Sequence, residues 1–380
     1  MKRVLIAHQS SIPHYRIPFY NSLEQLRPCK WCFDVVFDPL EIQKKKYFGD
    51  EIDSTDIQFP TLEVDTKSLA IGGRTLTYQS FWLRARQYDL IIVEDAINNL
   101  TYPLSNLHQF AGTKIAYWGL GKDRKIDNHN PLTYFVTELK LFLNRSADGY
   151  FAYTEGVKEY LALQGVPEEK IFTVNNTIDI NMQRSAFEKL IKDKEIIKKQ
   201  LGVSVKKVLL FVSTFKESKK AGFLLKAFSI LREMDNDFYM LLVGSGGEDY
   251  LDELSDNITY FGSVTAIQKL ASIYVASDIF VYPGQVGLAP LQALCYNLPV
   301  ITIDSKYIHG PEIEYLTPVN SIIMNSSTNP EEYAKEISNL FKDNERLKIM
   351  KSNTWSSIQH LTVEQMAYNF IDGINTILEL

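Results

Sequence analysis

The strongest constraint on the fold is a repeated alternation of short apolar runs with helical patterns along almost the whole chain. The runs are rich in Val, Ile and Leu and are not interrupted by polar residues, as in strands buried on both faces of a parallel sheet. The alternation therefore predicts βαβ units and an α/β fold with open, doubly wound sheets. The predicted strands are residues 4–7, 33–37, 90–93, 114–118, 149–153 and 171–174, then 208–212, 238–243, 258–261, 279–282 and 300–303.

The series of strands occurs twice, which predicts two domains in a chain of 380 residues. We assign residues 1–180 to an N-terminal Rossmann-like domain and 181–357 to a C-terminal one. Residues 358–380 are expected to form a helix that packs back on the N-terminal domain. Because open α/β sheets bind ligands at the carboxyl ends of their strands, a cleft between two facing domains is the expected site.

Composition narrows the classes of protein to which the chain can belong. The net charge is −6 and no basic stripe stands out, so nucleic acid is not an expected partner. Three cysteines do not make a disulfide framework and fit a reducing cytosol. Cys29 and Cys32 form one CxxC pair without a second pair of ligands, so a zinc or redox role is the weaker alternative.

The sequence shows no membrane-spanning segment. Its first residues, MKRVLIAHQSS, contain four consecutive apolar residues and predict a first strand rather than a signal peptide. No apolar run approaches the ~20 residues that span a bilayer. We therefore expect a cytoplasmic protein, and residues 132–143 are the expected amphipathic surface for any contact with the inner face of a membrane.

Residues 282–302, YPGQVGLAPLQALCYNLPVIT, predict a phosphate-binding corner. A strand ends, PGQVG turns, and Pro290 lies in the first helical turn, where its missing N–H would be unpaired anyway. The amides of Gly287, Leu288 and Ala289 are then expected to point out of a helix N-terminus, which attracts anions. An ordinary βα turn that binds nothing is the alternative.

A second candidate lies in residues 211–228, FVSTFKESKKAGFLLKAF, where a polar loop separates a strand from a helix. Lys216, Lys219 and Lys220 in this loop can clamp a diphosphate, although a solvated lysine-rich loop is equally expected. The glycine run LLVGSGGED at 241–249 lacks a complete GxGxxG and predicts a tight turn rather than a dinucleotide site.

Three further segments place side chains near predicted strand ends. HQSSIPHYRIPFY supplies His8, His14 and Arg16, of which Arg16 best suits an anionic group of an acceptor. AYWGLGKD supplies Trp118, with plain core packing as the alternative. IHGPEIEYL supplies Glu312, which either faces a ligand or begins a helix.

Taken in order, these segments resemble the retaining GT-B glycosyltransferases that use nucleotide-sugar donors, a family 4-like group also called group 1. The resemblance covers nearly the whole chain. It rests on PHYRIPFYNSL, NNTID at 175–179, VSTFKESKKAGFLLKAF, LLVGSGG, ITYFGSV and YPGQVGLAPLQALCYNLPVIT. It implies the GT-B architecture, in which two Rossmann-like domains face each other across a cleft.

The chain departs from this family at several polar positions. The family normally has two glutamates around the corner, one near the donor sugar and one on the ribose hydroxyls, and here Gly284 and Gln292 occupy those places. Gln292 can still bond hydroxyls, whereas at the other position the amides of Gly284 and Gln285 would have to reach the sugar. Thr214 replaces an Arg and Leu120 a His. The PGxVGL form suggests a branch of the family.

The resemblance implies transfer of a sugar from a nucleotide-diphosphate donor to a glycan or lipid-linked acceptor, with retention, in surface polysaccharide biosynthesis. Charge on the leaving diphosphate needs stabilisation, for which Lys219 and Lys220 are the candidates, together with the amides of residues 287–289. Backbone around Gly262 would hold the base, and Glu312 is a further donor-side candidate. Neither a metal nor a cofactor is expected.

The main alternative is a catalytically degenerate GT-B protein that acts as a partner or binding subunit. A dehydrogenase would need a GxGxxG after the first strand, which HQSSIPH does not provide. A periplasmic-type two-lobed binding protein would need a secretion signal.

Overall fold

A computed structural model of the protein describes residues 1–9, 12–39, 56–71, 74–121, 131–204, 206–248, 250, 256–305 and 309–380. These residues form two compact units, each with a parallel sheet and a hydrophobic core of its own. Unit 1 comprises Met1–Asn176 and Val363–Leu380, and unit 2 comprises Thr177–Thr362. The predicted α/β class with two doubly wound sheets is confirmed.

The strands of unit 1 are β1 Lys2–Ala7, β2 Trp31–Phe37, β3 Thr61–Glu63, β4 Thr66–Ile71, β5 Arg74–Gln79, β6 Leu90–Glu94, β7 Lys114–Gly119, β8 Gly149–Ala152 and β9 Ile171–Thr173. The parallel sheet has the order β3-β2-β1-β6-β7-β8-β9, and β4 and β5 form a separate antiparallel hairpin. The apolar side chains of β1 and β6 are fully buried, as their uninterrupted runs predict.

The helices of unit 1 before the crossover are α1 Ile17–Leu26, α2 Thr101–Leu104, α3 Pro131–Ser146 and α4 Glu155–Leu163. Short 3₁₀ turns cover His14–Arg16, Arg84–Gln87, Ser105–Ala111 and Glu168–Lys170. The helices connect parallel strands, which need a crossover rather than a tight hairpin.

Unit 2 begins with helices α5 Ile180–Leu190 and α6 Lys194–Gln200, joined by a 3₁₀ turn at Ile191–Asp193. Its strands are β10 Lys207–Val212, β11 Phe238–Val243, β12 Ile258–Tyr260, β13 Ile279–Tyr282, β14 Val300–Ile303 and β15 Ser321–Met324. They form one parallel sheet of order β12-β11-β10-β13-β14-β15. Its further helices are α7 Ala221–Met234, α8 Ile267–Ala276, α9 Ala289–Cys295, α10 Pro330–Lys342 and α11 Asn344–Ile358, with 3₁₀ turns at Glu217–Lys219 and Pro311–Tyr315.

Asp278, just before β13, connects the first helices of unit 2 to its last helix. Its carboxylate lies 3.3 Å from the Lys194 ammonium, 3.7 Å from that of Lys198 and 3.1 Å from that of Lys351. Burial by itself would raise the pKa of Asp278, but the three ammonium groups together lower it to about 2. The carboxylate also accepts the N–H of Val208 at the start of β10.

The last helix, α12 Val363–Leu378, returns the chain to unit 1. Phe370 stacks on Phe151 with ring centroids 4.1 Å apart. Two glycines permit this close packing: a Cβ on Gly149 would lie 2.4 Å from Ile377, and one on Gly373 would lie 2.5 Å from Phe151. Over the described residues, none of the helices combines the length and hydropathy needed to cross a bilayer.

Candidate functional site

Two loops of unit 2 follow neighbouring strands at the point where the strand order reverses. β10 pairs with β11 on one side and with β13 on the other. We call residues 213–220, which follow β10, the lysine loop, and residues 283–288, which follow β13, the glycine loop. A crevice outside the carboxyl ends of strands at such a switch point is where open α/β sheets bind ligands. The fold thus brings together the two segments that the sequence singled out.

The two loops contact each other through their backbones. Gln285 donates its N–H to the carbonyl oxygen of Ser218 at 2.8 Å. Gly284 is fully packed against the lysine loop, because a Cβ there would lie 2.4 Å from the carbonyl carbon of Lys219. No real Cβ approaches backbone so closely, so this position requires glycine in the observed arrangement.

The Lys219 side chain reinforces the contact. Its ammonium donates to the carbonyl oxygen of Gln285 at 2.6 Å and lies 5.4 Å from the centroid of the Tyr282 ring. The Tyr282 hydroxyl is in turn 3.0 Å from Ser213 Oγ, at the start of the lysine loop. The half-buried positive charge of Lys219 therefore lies between the two loops.

Lys220 begins helix α7 in an unusual conformation. Its φ of 55° and ψ of 41° are left-handed, which is uncommon for a residue with a side chain. Lys220 is the N-cap residue, and no side chain caps the helix. The first N–H groups of this 14-residue helix thus face the lysine loop without a side-chain acceptor. An anion at this end of α7 is favoured by those N–H groups and by the helix dipole.

The glycine loop leaves space beside the backbone of Gly287, as expected of a loop that binds a phosphate. A Cβ on Gly287 would meet no atom within 4 Å. Across the described part of the chain, no residue accepts a hydrogen bond from the backbone N–H of Gly287, Leu288 or Ala289. Helix α9 starts at Ala289 with Pro290 in its first turn, as predicted, but it has 7 residues, so its dipole contributes less than that of α7.

His309 fixes the glycine loop from the other side and was missed at the sequence level. Its Nδ1 accepts the N–H of Val286 at 3.0 Å, and its Nε2 donates to the carbonyl oxygen of Ile303 at 2.8 Å. These partners define the neutral tautomer with the proton on Nε2. Gly310 adds a second link by donating its N–H to the carbonyl oxygen of Val286 at 2.8 Å. A buried histidine in a polar segment gives no sequence signal that separates it from a surface histidine.

Glu312 does not project as freely as a donor-binding carboxylate would. It is 6% exposed, and a Cβ on Gly310 would lie 2.3 Å from its Oε2. Its carboxylate lies against the Gly310 backbone in the first turn of the 3₁₀ helix Pro311–Tyr315, as the helix-start alternative expects, and its contact with a donor stays a prediction.

Gln292 on α9 points its amide nitrogen at another helix. Its Nε2 donates to Gln183 Oε1 at 3.0 Å, and the Tyr296 hydroxyl donates to the same oxygen at 2.9 Å. No described residue donates to the Oε1 of Gln292, so that oxygen can accept a hydroxyl. The amide nitrogen of Gln292 is thus occupied by the contact between α9 and α5, and only its oxygen remains for a ribose hydroxyl.

The remaining donor-side candidates lie at the ends of β10 and β12. Thr214 is half-buried in the lysine loop. Gly262 has a φ of 64° and open space at its Cβ position, and its carbonyl oxygen accepts the N–H of Gly244 at 2.8 Å. Gly244 packs on Ser213, because a Cβ there would lie 1.7 Å from the Ser213 oxygen. The run LLVGSGG therefore makes a close turn, as predicted, that supports the lysine loop.

Unit 1 has its own switch point, between β1 and β6, where polar side chains are buried. His8, after β1, packs against Trp118 with ring centroids 3.9 Å apart and the rings tilted by 34°, and its Nε2 is 2.9 Å from the Tyr153 hydroxyl. Burial lowers the pKa of His8 well below its usual value, and the charge of Arg16 lowers it further. His8 is therefore neutral at physiological pH.

Arg16 carries a positive charge that is 1% exposed. Its guanidinium lies over the rings of Trp118 at 4.9 Å, Tyr153 at 5.5 Å and Tyr15 at 5.2 Å, and its Nη1 donates to Met366 Sδ at 3.7 Å. Among the described residues, nothing accepts a hydrogen bond from its Nε or Nη2. Cation–π contacts stabilise the charge, and the two unmatched donors suit an anionic group.

The other acceptor-side candidates differ in accessibility. His14 is half-buried on the turn before α1. Trp118 is wholly buried, which corrects its expected direct contact with an acceptor. It belongs to the aromatic core, where Phe370 packs at 4.9 Å, and it contributes by holding His8 and Arg16.

Glu94, at the carboxyl end of β6, is the second residue that sequence reasoning missed. Burial raises its pKa to about 7, and the neighbouring Asp95 carboxylate adds to the shift, whereas Gln9, Lys140 and Arg16 oppose it. Gln9 adopts a φ of 71°, a rare conformation for a residue with a side chain. A carboxyl group with such a pKa exchanges protons near neutrality.

No group of three or more His, Cys, Asp or Glu side chains in the described ranges is arranged to hold a metal ion. The family model described as glycosyl transferases group 1 matches residues 206–343, which include both the lysine loop and the glycine loop. The matched segment spans 138 of the 380 residues. The predicted resemblance is confirmed for the group 1 domain.

One curated relative of the chain is spore coat protein SA of Bacillus subtilis (strain 168). The two are 27% identical over 172 residues, which is 40% of this chain and 44% of the relative. The match thus spans less than half of that protein.

Two solved structures extend the likeness to the whole chain. Anabaena Alr3699/HepE in complex with UDP has a TM-score of 0.69 and 18% identity, over 98% of this chain and 99% of its own. A glycosyltransferase from Rickettsia africae ESF-5 has a TM-score of 0.70 and 15% identity, over 100% of this chain and 99% of its own. The GT-B fold class around the group 1 domain is thereby confirmed.

Proposed function

We propose that the protein is a retaining glycosyltransferase that moves a sugar from a nucleotide-diphosphate donor to a glycan or lipid-linked acceptor in surface polysaccharide biosynthesis. The observation that carries this proposal is the junction of the lysine and glycine loops at the switch point of unit 2. There the Lys219 ammonium, bound to Gln285, lies beside backbone amides that have no acceptor among the described residues. The group 1 domain contains both loops, and the similar HepE structure contains UDP, which supports a uridine nucleotide as the first candidate.

The proposed chemistry depends on charge rather than on a protein nucleophile. As the bond between the anomeric carbon and the diphosphate oxygen breaks, negative charge develops on the leaving group. The oxygen of the acceptor hydroxyl bonds to the same face of the sugar, and its proton passes to the leaving diphosphate. The Lys219 ammonium, which a phosphate oxygen would share with Gln285, stabilises that charge. Lys220 and the first amides of α7 add to it.

The donor sugar and ribose meet a different set of groups from the paired glutamates of the family. Gly284 is closed by the Lys219 backbone, so we assign the sugar to the open amides of the glycine loop. Gln292 Oε1 accepts a ribose hydroxyl in this proposal. The base lies beside the turn at Gly262, whose Cβ position is open.

We assign the acceptor side to unit 1. Arg16, with two donors that have no described acceptor, binds an anionic group of the acceptor, and His14 lies on the same turn. We further propose that transfer needs no metal ion, so activity in the presence of EDTA should equal activity without it. A cytoplasmic location, at the inner face of a membrane, is part of the same proposal.

Nucleotide binding tests the proposal directly. Thermal unfolding is followed with UDP, GDP, dTDP and CMP, and one of them should raise the melting temperature while the others have little effect. Binding that is followed by release of the nucleotide from its sugar donor supports a transferase. If no nucleotide shifts the transition, the proposal of an active donor site is wrong.

A second candidate is a catalytically degenerate GT-B protein that serves as a binding subunit. The absence of carboxylates at Gly284 and Gln292 favours it. It predicts weak or absent nucleotide binding and no turnover of any nucleotide sugar with any acceptor. Slow hydrolysis of one donor to the free sugar, measured without acceptor, would exclude it.

A further inference from the structure

Two stretches of unit 1 contain no acidic residue, although the whole chain has a net charge of −6. Residues 66–88 include Lys67, Arg74, Arg84 and Arg86 and neither Asp nor Glu. Residues 96–121 include Lys114 and likewise neither Asp nor Glu. The two stretches thus carry net charges of +4 and +1 in an otherwise acidic protein, although Asp89, Glu94 and Asp95 lie between them.

Hydrogen bonds join the two stretches into one region of the surface. The N–H of Gln79 donates to Thr101 Oγ1 at 2.9 Å. The Trp82 indole donates to the carbonyl oxygen of Leu104 at 3.3 Å, and His108 Nε2 is 3.0 Å from the Trp82 carbonyl oxygen. Arg84 and Arg86, which follow Trp82 closely in the chain, therefore lie beside α2 and the 3₁₀ turn Ser105–Ala111.

That helical segment presents an apolar row to solvent. Leu100, Leu104, Leu107 and Phe110 are spaced by four, three and three residues, which places them along one side of the segment. All four are exposed, Leu107 by 50% and Phe110 by 91%. Leu83, next to the Trp82 that contacts Leu104, is 66% exposed. Apolar residues at this spacing normally face a core, whereas in the described part of the chain this row faces solvent.

We use the term docking face for this surface, which consists of Leu83, Arg84, Arg86, Leu100, Leu104, Leu107 and Phe110. The Arg84 guanidinium donates to the carbonyl oxygen of Glu63 at 3.0 Å, and that of Arg86 lies 5.6 Å from the centroid of the Trp82 ring. Both side chains are exposed, and neither is ion-paired with a carboxylate of the described residues. The apolar row is thus flanked by accessible positive charge.

We propose that the docking face binds a bilayer that contains anionic lipid, with Leu104, Leu107 and Phe110 entering the interface and Arg84 and Arg86 on the headgroups. An exposed apolar row flanked by arginines is the composition of helices that lie in a bilayer interface. A second copy of the chain fits less well, because a symmetric contact would bring the arginines of both copies together.

Binding to the bilayer is inferred from this surface alone. The role of that binding, which is access to a lipid-linked acceptor, rests on the proposed function. Residues 132–143, the surface expected from the sequence, lie in the neighbouring helix α3. Phe135 is 64% and Phe142 62% exposed, and Gln109 donates to the carbonyl oxygen of Ser146 at the end of α3 at 3.2 Å. α3 is thus adjacent to the docking face and extends its apolar surface.

Co-sedimentation with vesicles tests the proposal on the full-length protein. The vesicles are made of phosphatidylcholine, with or without added phosphatidylglycerol. Wild-type protein should pellet with the anionic vesicles and much less with the neutral ones. Leu107→Ser with Phe110→Ser, and Arg84→Gln with Arg86→Gln, should each weaken binding, the arginine pair by about thirtyfold. Ile349→Ser, at a 50% exposed apolar position of unit 2, is the matched control and should bind as wild type.

The UDP-dependent shift in melting temperature is measured on the same variants and should not change, so a failure of donor binding remains separate from a failure of docking. The proposal is overturned if the wild type does not pellet with anionic vesicles, or if Ile349→Ser loses as much binding as the docking-face variants. It is also overturned if sedimentation shows that the docking-face variants convert a dimer into a monomer, because the surface then joins two copies.

Discussion

Gly284 lies against the backbone of Lys219 so closely that no side chain fits between the lysine loop and the glycine loop. A Cβ at this position would be 2.4 Å from the Lys219 carbonyl carbon and 2.5 Å from its Cα. These are backbone atoms, which cannot rotate away as the end of a side chain can. The glutamate that the family normally has here is therefore incompatible with the way the lysine loop packs in this chain.

Gly284→Ala is expected to separate the two loops. The added methyl group displaces Lys219 and weakens its bond to Gln285, so we expect a loss of about 1–3 kcal/mol in the free energy of unfolding and a larger relative loss of nucleotide affinity. Denaturant unfolding and nucleotide titration measure the two effects. Gly284→Glu should behave like Gly284→Ala and should not raise activity.

Gly287→Ala is the matched control for that prediction. It lies in the same loop, its φ is not positive, and a Cβ there meets no atom within 4 Å. Its stability should equal that of the wild type, while nucleotide affinity falls because the methyl group enters the proposed phosphate corner. Equal destabilisation by both substitutions would contradict the close packing of Gly284 as the cause.

Lys219→Met is expected to reduce donor turnover by roughly 10²–10³-fold, because it removes the charge that stabilises the leaving diphosphate. The loss should appear in kcat more than in the melting temperature. Lys226→Met, at an exposed lysine on helix α7, which follows the lysine loop, controls for a general loss of positive charge and should leave turnover unchanged. If both variants lose activity alike, the loss comes from the lower positive charge of unit 2 as a whole and not from the contact between Lys219 and Gln285.

Most of the fold could be predicted because buried parallel strands leave long apolar runs in the sequence. The predicted strand 208–212 corresponds to β10 Lys207–Val212, and 279–282 to β13 Ile279–Tyr282. The hairpin β4–β5 was not predicted, since TKSLAI and RTLTYQ mix polar and apolar residues on two exposed faces. β15 was also missed, because SIIM is an edge strand with only three consecutive apolar residues.

The sequence predicted the two loops of the candidate site, but it did not predict how the loops pack against each other. Gly284 and Lys219 are far apart in the sequence, and the reason for the glycine is visible only when the Lys219 backbone lies against it. His309 holds the glycine loop through hydrogen bonds to backbone, which leave no motif. Trp118 was a candidate for ligand contact, with core packing as its alternative, because aromatic residues near strand ends look alike before their burial is known.

Gln292→Ala separates the two roles of this side chain when it is compared with Gln183→Ala. Both substitutions remove the 3.0 Å bond between α9 and α5, which should cost about 1 kcal/mol of stability, and Gln183→Ala should cost more because it also removes the bond from the Tyr296 hydroxyl. Only Gln292→Ala also removes the Oε1 that is proposed to accept a ribose hydroxyl, so it alone should weaken binding of a nucleoside diphosphate. Equal nucleotide affinities for the two variants would assign Gln292 to helix packing and nothing more.

Glu94 is expected to make the stability of the protein depend on pH. Because burial raises its pKa from 4.5 to about 7 in the folded state, the folded protein binds a proton between these values that the unfolded chain releases. The free energy of unfolding therefore falls as pH rises from about 4.5 to 7, and Glu94 contributes at most about 3 kcal/mol to that fall. Glu94→Gln should remove this contribution. The difference in free energy of unfolding, variant minus wild type, should therefore be more favourable to the variant at pH 8 than at pH 5.

Denaturant unfolding of both proteins at the two pH values measures the difference. Glu159→Gln, an exposed glutamate of α4 in the same unit, is the control and should follow the wild type at each pH. Parallel stability curves for the wild type and Glu94→Gln would show that the Glu94 carboxyl ionises alike in the folded and unfolded states. In that case it could not exchange protons near neutrality at the switch point of unit 1.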